Sequence, residues 1–336
     1  MKNDSFIRAC ERKETGHTPI WLMRQAGRYM PEYLKLRENH GIMDICSDPE
    51  LSSDVSAMPV DMFGFDAAII FEDLMVPLKP AGVGFKLVDK VGPIIETPIR
   101  NVNDVDRIRN YDTNEVGFVA DAIKLLKSKV DVPVIGFAGA PFTMACYLID
   151  GARAGGFEKT MSFMENDPDG YHKLMDRLTE IVINYLNLQV NAGIDALQLF
   201  DTWCGMLDSQ TYSRNVAPYT RKIFESIRTD KPKIHFSLHS SGIIDEIAAN
   251  GSAVISVGWE DDLAGLWSKV GSSKAMQGNL DPSLLAAGGN QMKESAEAIL
   301  SSVEGRSGYI FNLGHGVLPG TKPENVRELV ELVHSH

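Results

Sequence analysis

Three arginines, Arg24, Arg28 and Arg37, fall within fourteen residues of the stretch PIWLMRQAGRYMPEYLKLRE, residues 19–38. Guanidinium groups gathered in this way suit fork-shaped hydrogen bonding to carboxylates or phosphates. One arginine alone would be read as a solvated surface residue; three placed where an apolar run stops point to an anion site. The chain as a whole is acidic, with a formal net charge of −12. An anionic ligand therefore has to meet a local basic patch, and general nucleic-acid binding, which needs clustered positive charge, is not expected.

Other residues of chemical interest also follow apolar runs. Asp73, in DAAIIFEDLMVP, could have a catalytic role, and could equally cap a helix that starts at Leu74. Tyr147 stands two turns into a helix opened by Pro141, and Thr202 sits in DTWCG. Each has a plain alternative, as a core aromatic with a tethered hydroxyl or as a local backbone partner. His315 in NLGHG is flanked by Gly314 and Gly316, a pair that permits close backbone approach.

A metal site finds less support. His235 and His239 in KIHFSLH would be about 13 Å apart along a straight strand, too far to share an ion, although a bend after Leu238 would weaken that objection. The four cysteines, Cys10, Cys46, Cys146 and Cys204, are widely spaced and form no CxxC pair, so no disulfide framework or thiolate zinc site is expected. Cys204 reads as a small buried hydrophobe. No GxSxG elbow supports hydrolase chemistry, and no GxGxxG or GxxxxGK stretch supports nucleotide binding.

These residues need elements to position them. Eight short apolar runs recur: Pro19 to Met23, Ala67 to Phe71, Val132 to Phe137, Ala196 to Phe200, Lys233 to Leu238, Ala253 to Val257, Ala275 to Leu280 and Tyr309 to Leu313. Such non-alternating runs suit parallel strands buried on both faces, and helical patterns lie between them. The clearest helix is predicted over Pro168 to Ala192, with Gly193 as its stop, and a last one is expected to open on a Thr321/Glu324 capping box with Pro323 in its first turn. Strands alternating with helices predict an α/β fold, a (β/α)8 TIM barrel occupying residues 1–336 as one domain, with its chemistry at the C-terminal strand ends. A doubly wound sheet is the competing arrangement.

Of the 336 residues, 44% are hydrophobic and 23% charged, an ordinary globular balance. Met1 to Arg12 shows no secretion signal, and no apolar run is long enough to span a bilayer, so a reducing cytoplasm is the expected compartment, with no membrane partner.

The motifs PIWLMRQAGRYMPEY, DAAIIFEDLMVP, GFAGAPFTMACYLIDG, QLFDTWCG, QGNLDP and FNLGHGVLPGTKPENV resemble, in this order, those of the uroporphyrinogen decarboxylase family. The resemblance covers nearly the whole chain. It implies a homodimeric barrel that removes carbon dioxide from the four acetates of uroporphyrinogen III, giving coproporphyrinogen III in haem biosynthesis without a metal or organic cofactor. By position, Arg24, Arg28 and Arg37 match substrate-binding arginines, with Arg24 also a proposed proton relay. Asp73 matches the aspartate that meets the pyrrole N–H groups, and Tyr147, Thr202 and His315 match residues that contact substrate carboxylates. Thr202 stands where serine is commoner, Glu72 where a serine is frequent, and Gly258 where aspartate often precedes tryptophan. Glu72 is expected to face away from the pocket, because alternate strand residues point oppositely. The alternatives are a zinc-dependent methyltransferase on a related barrel, whose HxC ligand pattern is missing from HFSLHSSG, and a tetrapyrrole carrier without turnover.

Overall fold

The computed structural model describes residues 3–88, 91–109, 111–153 and 155–336. Nine strands occur among them: β1 (Ala68–Ile69), β2 (Phe85–Val88), β3 (Gly92–Ile95), β4 (Val134–Gly139), β5 (Ala196–Phe200), β6 (Lys233–Ser237), β7 (Val254–Val257), β8 (Ala275–Leu280) and β9 (Tyr309–Leu313). Seven of them form one parallel sheet in the order β1-β4-β5-β6-β7-β8-β9, and β2 and β3 form a separate antiparallel hairpin that no apolar run foretells.

Seven of the eight expected runs thus contain regular strands. The first, Pro19 to Met23, does not, and contributes only a parallel bridge between Ile20 and Phe311. Side-chain amides take the place of ladder partners there: Leu22 N–H donates to Gln25 Oε1 at 3.1 Å and Met23 N–H to Asn312 Oδ1 at 3.0 Å. The segment still closes the ring. Phe311 N–H donates to Pro19 O at 2.8 Å, and Asp66 N–H donates to Ile20 O at 2.9 Å, so it lies between β9 and the approach to β1. The result is the β/α barrel architecture.

Strand alternation sorts the side chains into two layers. Trp21, Ile135, Ala196, Ile234, Phe236, Val254, Ala275 and Ile310 fill the barrel interior, which the helix Ser5–Cys10 plugs with Phe6 and Ala9. Gln277 links the polar groups inside, donating to Gln198 and Ser256 and accepting from the Trp21 indole at 2.9 Å. The outward-facing strand residues pack against the helices, of which the longest, Pro168–Ala192, has the expected bounds. Asp167 caps its first turn and Gly193 (φ +102°) ends it. The expected capping box at the last helix does not form. Pro323 occupies the first helical position, which makes Lys322 the N-cap and leaves the buried Thr321 hydroxyl without a hydrogen-bond partner among the described residues.

Asp66 ties both ends of the chain to the barrel floor. Its buried carboxylate accepts from Asn3 Nδ2 (2.7 Å), Ser5 Oγ (3.2 Å), His17 Nε2 (2.8 Å), Ile20 N–H (2.8 Å) and His334 Nε2 (2.9 Å). Burial alone would raise its pKa, but the hydrogen bonds from His334, Ile20 and His17 outweigh that and hold it at about 2. A carboxyl depressed in this way stabilises the fold above its unfolded value, near 3.9, and that contribution is lost as pH falls towards 2. Asp66→Asn is therefore expected to lower stability by about 2–4 kcal/mol at neutral pH, because the amide turns donors against donors. Denaturant titrations should also show a flatter acid limb between pH 4 and 2; an unchanged acid limb would show that the carboxylate carries no such linkage.

Candidate active site

The C-terminal ends of the strands open on a cavity of about 950 Å³ counted out to its mouth. Arg24, Asp73, Tyr147, Thr202 and His315 all line it, together with apolar walls from Ile69, Phe71, Phe137 and Phe200. Five residues taken from five separate motifs therefore converge. Arg28 and Arg37 are not in its wall: Arg28 adds its charge beside Arg24, whereas Arg37 donates to His40 O at 3.1 Å and to the Tyr33 hydroxyl at 3.4 Å.

Arg24 sits at the turn where the first run ends, with a left-handed φ of +61°. A non-glycine residue held there is strained, and persists because its surroundings fix it. Gln25 supplies much of that fixing, since its amide donates to Ala67 O at 3.0 Å and its carbonyl accepts from the Tyr29 hydroxyl at 2.7 Å. The Arg24 stem runs along Gly316, where a Cβ would come within 2.4 Å of Arg24 Cδ. Arg24 is solvent-exposed, with its head open to the cavity. Desolvation lowers its pKa; Tyr147 and Asp73 act against this, and Arg153 and Arg28 add to it.

The two glycines around His315 thus have different jobs. At Gly314 a Cβ would lie 2.1 Å from Trp259 N, a backbone atom that cannot move aside, whereas at Gly316 it meets only a flexible side chain. Gly316→Ala is expected to fold normally and to cut kcat/KM about tenfold by displacing the Arg24 head. Steady-state kinetics beside a thermal melt check this, and an unchanged kcat/KM would show that the close approach does not position Arg24.

Asp73 serves both readings that its sequence context allows. One oxygen accepts from Met75 N–H at 2.9 Å and so caps the following turn. Burial raises its pKa, against the Met75 hydrogen bond and the Arg24 charge. Glu72 also contributes to the cavity wall, and because residues 71–73 lie beyond β1, strand alternation does not decide where its side chain points. Both its oxygens are buried, near the Cys46 thiol and Tyr185, and desolvation with the Asp73 charge pushes its pKa well up.

His315 stacks on Trp259 at 6.2 Å with an interplanar angle of 16°. Burial, then the charges of Arg24 and Arg153, lower its pKa to about 3, so it is a neutral imidazole at physiological pH. Tyr147, in the buried helix Pro141–Asp150, keeps its phenol proton because burial raises its pKa. Thr202 follows β5, and its carbonyl accepts from Leu238 N–H at 3.3 Å. Gly258 also has a physical role: a Cβ there would meet Leu238 Cδ2 at 3.0 Å and Leu238 Cα at 3.3 Å, so a side chain fits only if that neighbour gives way.

Asp201, Cys204 and His235 place ligand atoms within 4.8 Å of one another behind the sheet. Their hydrogen bonds do not suit an ion. Asn250 Oδ1 accepts from Ser252 N–H, so its Nδ2 is the donor to His235 Nδ1 at 3.0 Å. The proton then sits on His235 Nε2, which points at Asp201 Oδ2 3.5 Å away and offers no lone pair to a metal. His239 is turned out of β6 and pairs with Glu260 at 2.7 Å. The second such group, His17, Asp66 and His334, is the clasp at the barrel floor, where the carboxylate is already saturated.

The sequence reading missed Arg153. It follows the Tyr147 helix and lies over the Trp203 ring, 5.3 Å from its centroid. A lone arginine in GARAGG gives no signal of its own; only its contact with the residue after Thr202 brings it to the site.

A β/α barrel with guanidinium groups and a raised-pKa carboxyl at the C-terminal strand ends is the layout of a barrel enzyme for an anionic substrate. A methyltransferase from Methanosarcina mazei shares the fold with a TM-score of 0.82 at 19% identity, over 99% of this chain and 98% of that one. A B12-independent methionine synthase from Shewanella sp. W3-18-1 follows at TM-score 0.60 and 10% identity, over 88% and 90%. In sequence, the uroporphyrinogen decarboxylase family model matches residues 1–336. Uroporphyrinogen decarboxylases from Sorangium cellulosum and Carboxydothermus hydrogenoformans are 42% and 40% identical, each over 99% of this chain and 96% of the relative. The chain belongs to the uroporphyrinogen decarboxylase family.

Proposed function

We propose that the chain converts uroporphyrinogen III to coproporphyrinogen III, decarboxylating each of four acetates to a methyl group. What carries this reading is the meeting of Arg24 and Asp73 in one cavity, a guanidinium and a carboxyl within electrostatic reach. The substrate has eight carboxylates on its rim and four pyrrole N–H groups at its hub, so it needs donors around the edge and an acceptor in the middle. Arg24, with Arg28 and Arg37 further out, answers the first need, helped by hydrogen bonds from Tyr147, Thr202 and His315. Asp73 answers the second. In a carrier that only held a polyanion, that carboxyl would be a liability.

The chemistry follows from a pyrrole serving as its own electron sink. Protonation at the ring α-carbon makes a cation that Asp73 stabilises by its fixed negative charge. The bond from the acetate methylene to its carboxylate then breaks, its electron pair flows into the ring, and carbon dioxide leaves. A proton delivered to the exocyclic methylene makes the methyl group, and loss of the α-carbon proton restores the pyrrole. No metal or organic cofactor is called for. His315, neutral down to about pH 3, is not a proton donor. Arg24 contributes mainly charge and placement, since even a lowered guanidinium pKa leaves it a weak acid.

A homodimer in the cytoplasm, with the 336 residues as one domain in each protomer, completes the proposal. The four free cysteines, all buried, are compatible with a reducing compartment. Among the described residues no helix is long and apolar enough to cross a membrane. The decisive assay incubates purified protein anaerobically with uroporphyrinogen III and follows the stepwise loss of carboxylates by chromatography of the oxidised porphyrins. Conversion to the four-carboxylate product is expected; unchanged substrate, where a control decarboxylase succeeds, would overturn the reading.

A further inference from the structure

We propose that Arg153 is an additional substrate-binding guanidinium, gripping carboxylates that remain at the cavity mouth while one acetate occupies the chemical centre. The inference rests on the reading of the cavity as a uroporphyrinogen site, and it concerns a residue that no motif singles out.

Arg153 lies in the turn after the helix Pro141–Asp150, beyond Gly151, which leaves the helix at φ +93°. A column of aromatic rings holds this turn against the site. Phe157 packs edge-on to Tyr147 at 6.1 Å and tilts against Trp203 at 5.3 Å, and the Arg153 guanidinium carbon sits 5.3 Å above that same indole. Phe157 is buried despite a left-handed φ of +53°, so its packing is strong enough to hold an unfavourable backbone conformation. The guanidinium at the top of the column is exposed. A guanidinium over an indole can still bond a carboxylate through its N–H fork.

The charges point the same way. Arg153 acts electrostatically on Arg24, Tyr147 and His315, three residues of the cavity wall. Among the described residues no carboxylate forms an ion pair with it, and together with Arg28 it acts as a like charge on Arg24. Like charges held together repel unless an anion bridges them. A rim of eight carboxylates supplies such anions, and Arg153, standing outside Arg24 and Asp73, reaches those that are not reacting. Because the contact exists before and during the chemistry, it contributes to binding and not to the chemical step.

Anaerobic steady-state kinetics of Arg153→Ala, Arg153→Gln and Arg153→Lys test this. KM for uroporphyrinogen is expected to rise about tenfold in the Ala and Gln variants, as for loss of one charge-assisted hydrogen bond, with kcat within about twofold. Lysine should restore part of the loss, and the salt dependence of kcat/KM should flatten in Ala and Gln. An unchanged KM, or a fall confined to kcat, would overturn the assignment. Binding of the oxidised octacarboxylate uroporphyrin, followed by fluorescence, separates the two readings. If the wild-type protein shows no turnover the decarboxylase reading fails, yet about tenfold weaker porphyrin binding by Arg153→Ala would still uphold the carboxylate site, and equal binding would remove it.

Discussion

Asp73→Asn should lower kcat by about a thousandfold while the protein melts at or slightly above the wild-type temperature. The first expectation follows from charge. Removing a preplaced group that faces developing charge in a water-poor site typically costs a factor of about a hundred to a thousand, and here the whole unit charge is lost. The second follows from burial: the Asp73 carboxyl is desolvated and its pKa is raised, so ionising it in the fold is unfavourable. Asparagine keeps the oxygen that caps Met75 N–H and carries no charge to bury. Because a raised carboxyl binds its proton more tightly in the folded state, stability declines as pH rises through the unfolded value towards the folded one, and this slope should shrink in the variant. Activity has the opposite sign. The ionised form is the working one, so kcat/KM should fall on the acid side at a pH above the ordinary aspartate range. Paired kinetics and thermal melts decide the matter. Near-normal turnover in Asp73→Asn would mean that the chemical centre lies elsewhere.

Arg24 is expected to show the second large effect, with a different signature. Arg24→Gln removes the cation that opposes the rise in the Asp73 pKa. Turnover should drop by about a hundredfold or more, and the acid limb of the remaining activity should move to higher pH. Arg24→Lys keeps a charge but loses the planar fork, so it should recover only part of the rate. The backbone supplies a control. At φ +61° glycine is comfortable where arginine is strained, so Arg24→Gly should be as inactive as the glutamine variant without losing thermal stability. Loss of stability together with activity in all three would recast Arg24 as a structural residue. Glutamine and lysine variants with wild-type pH profiles would instead break its proposed link to Asp73.

How much of this was legible beforehand depended on how local the signal was. Seven of the apolar runs became strands where they were expected, since burial on both faces of a parallel sheet demands apolar residues in succession. The long helix kept its proline start and glycine stop for equally local reasons. The first run looked the same as the others yet formed a single bridge, because Gln25 and Asn312 bond its backbone from outside the run. The capping box failed by one residue of register, set by Pro323. Arg37 stood beside Arg24 and Arg28 in the motif, yet part of its guanidinium is taken up by Tyr33 and His40.

By itself, the sequence determined which side chains follow the strands. Tertiary structure alone decided how those side chains meet. Arg24 reaches its position because Gly316, nearly three hundred residues away, leaves room for its stem. Arg153 joins the site because an aromatic column from two different loops carries it there. Periodicity records which face of an element is buried, a property of neighbouring residues. Convergence at the cavity depends on ring closure and loop packing, which are contacts between distant parts of the chain and leave no local pattern.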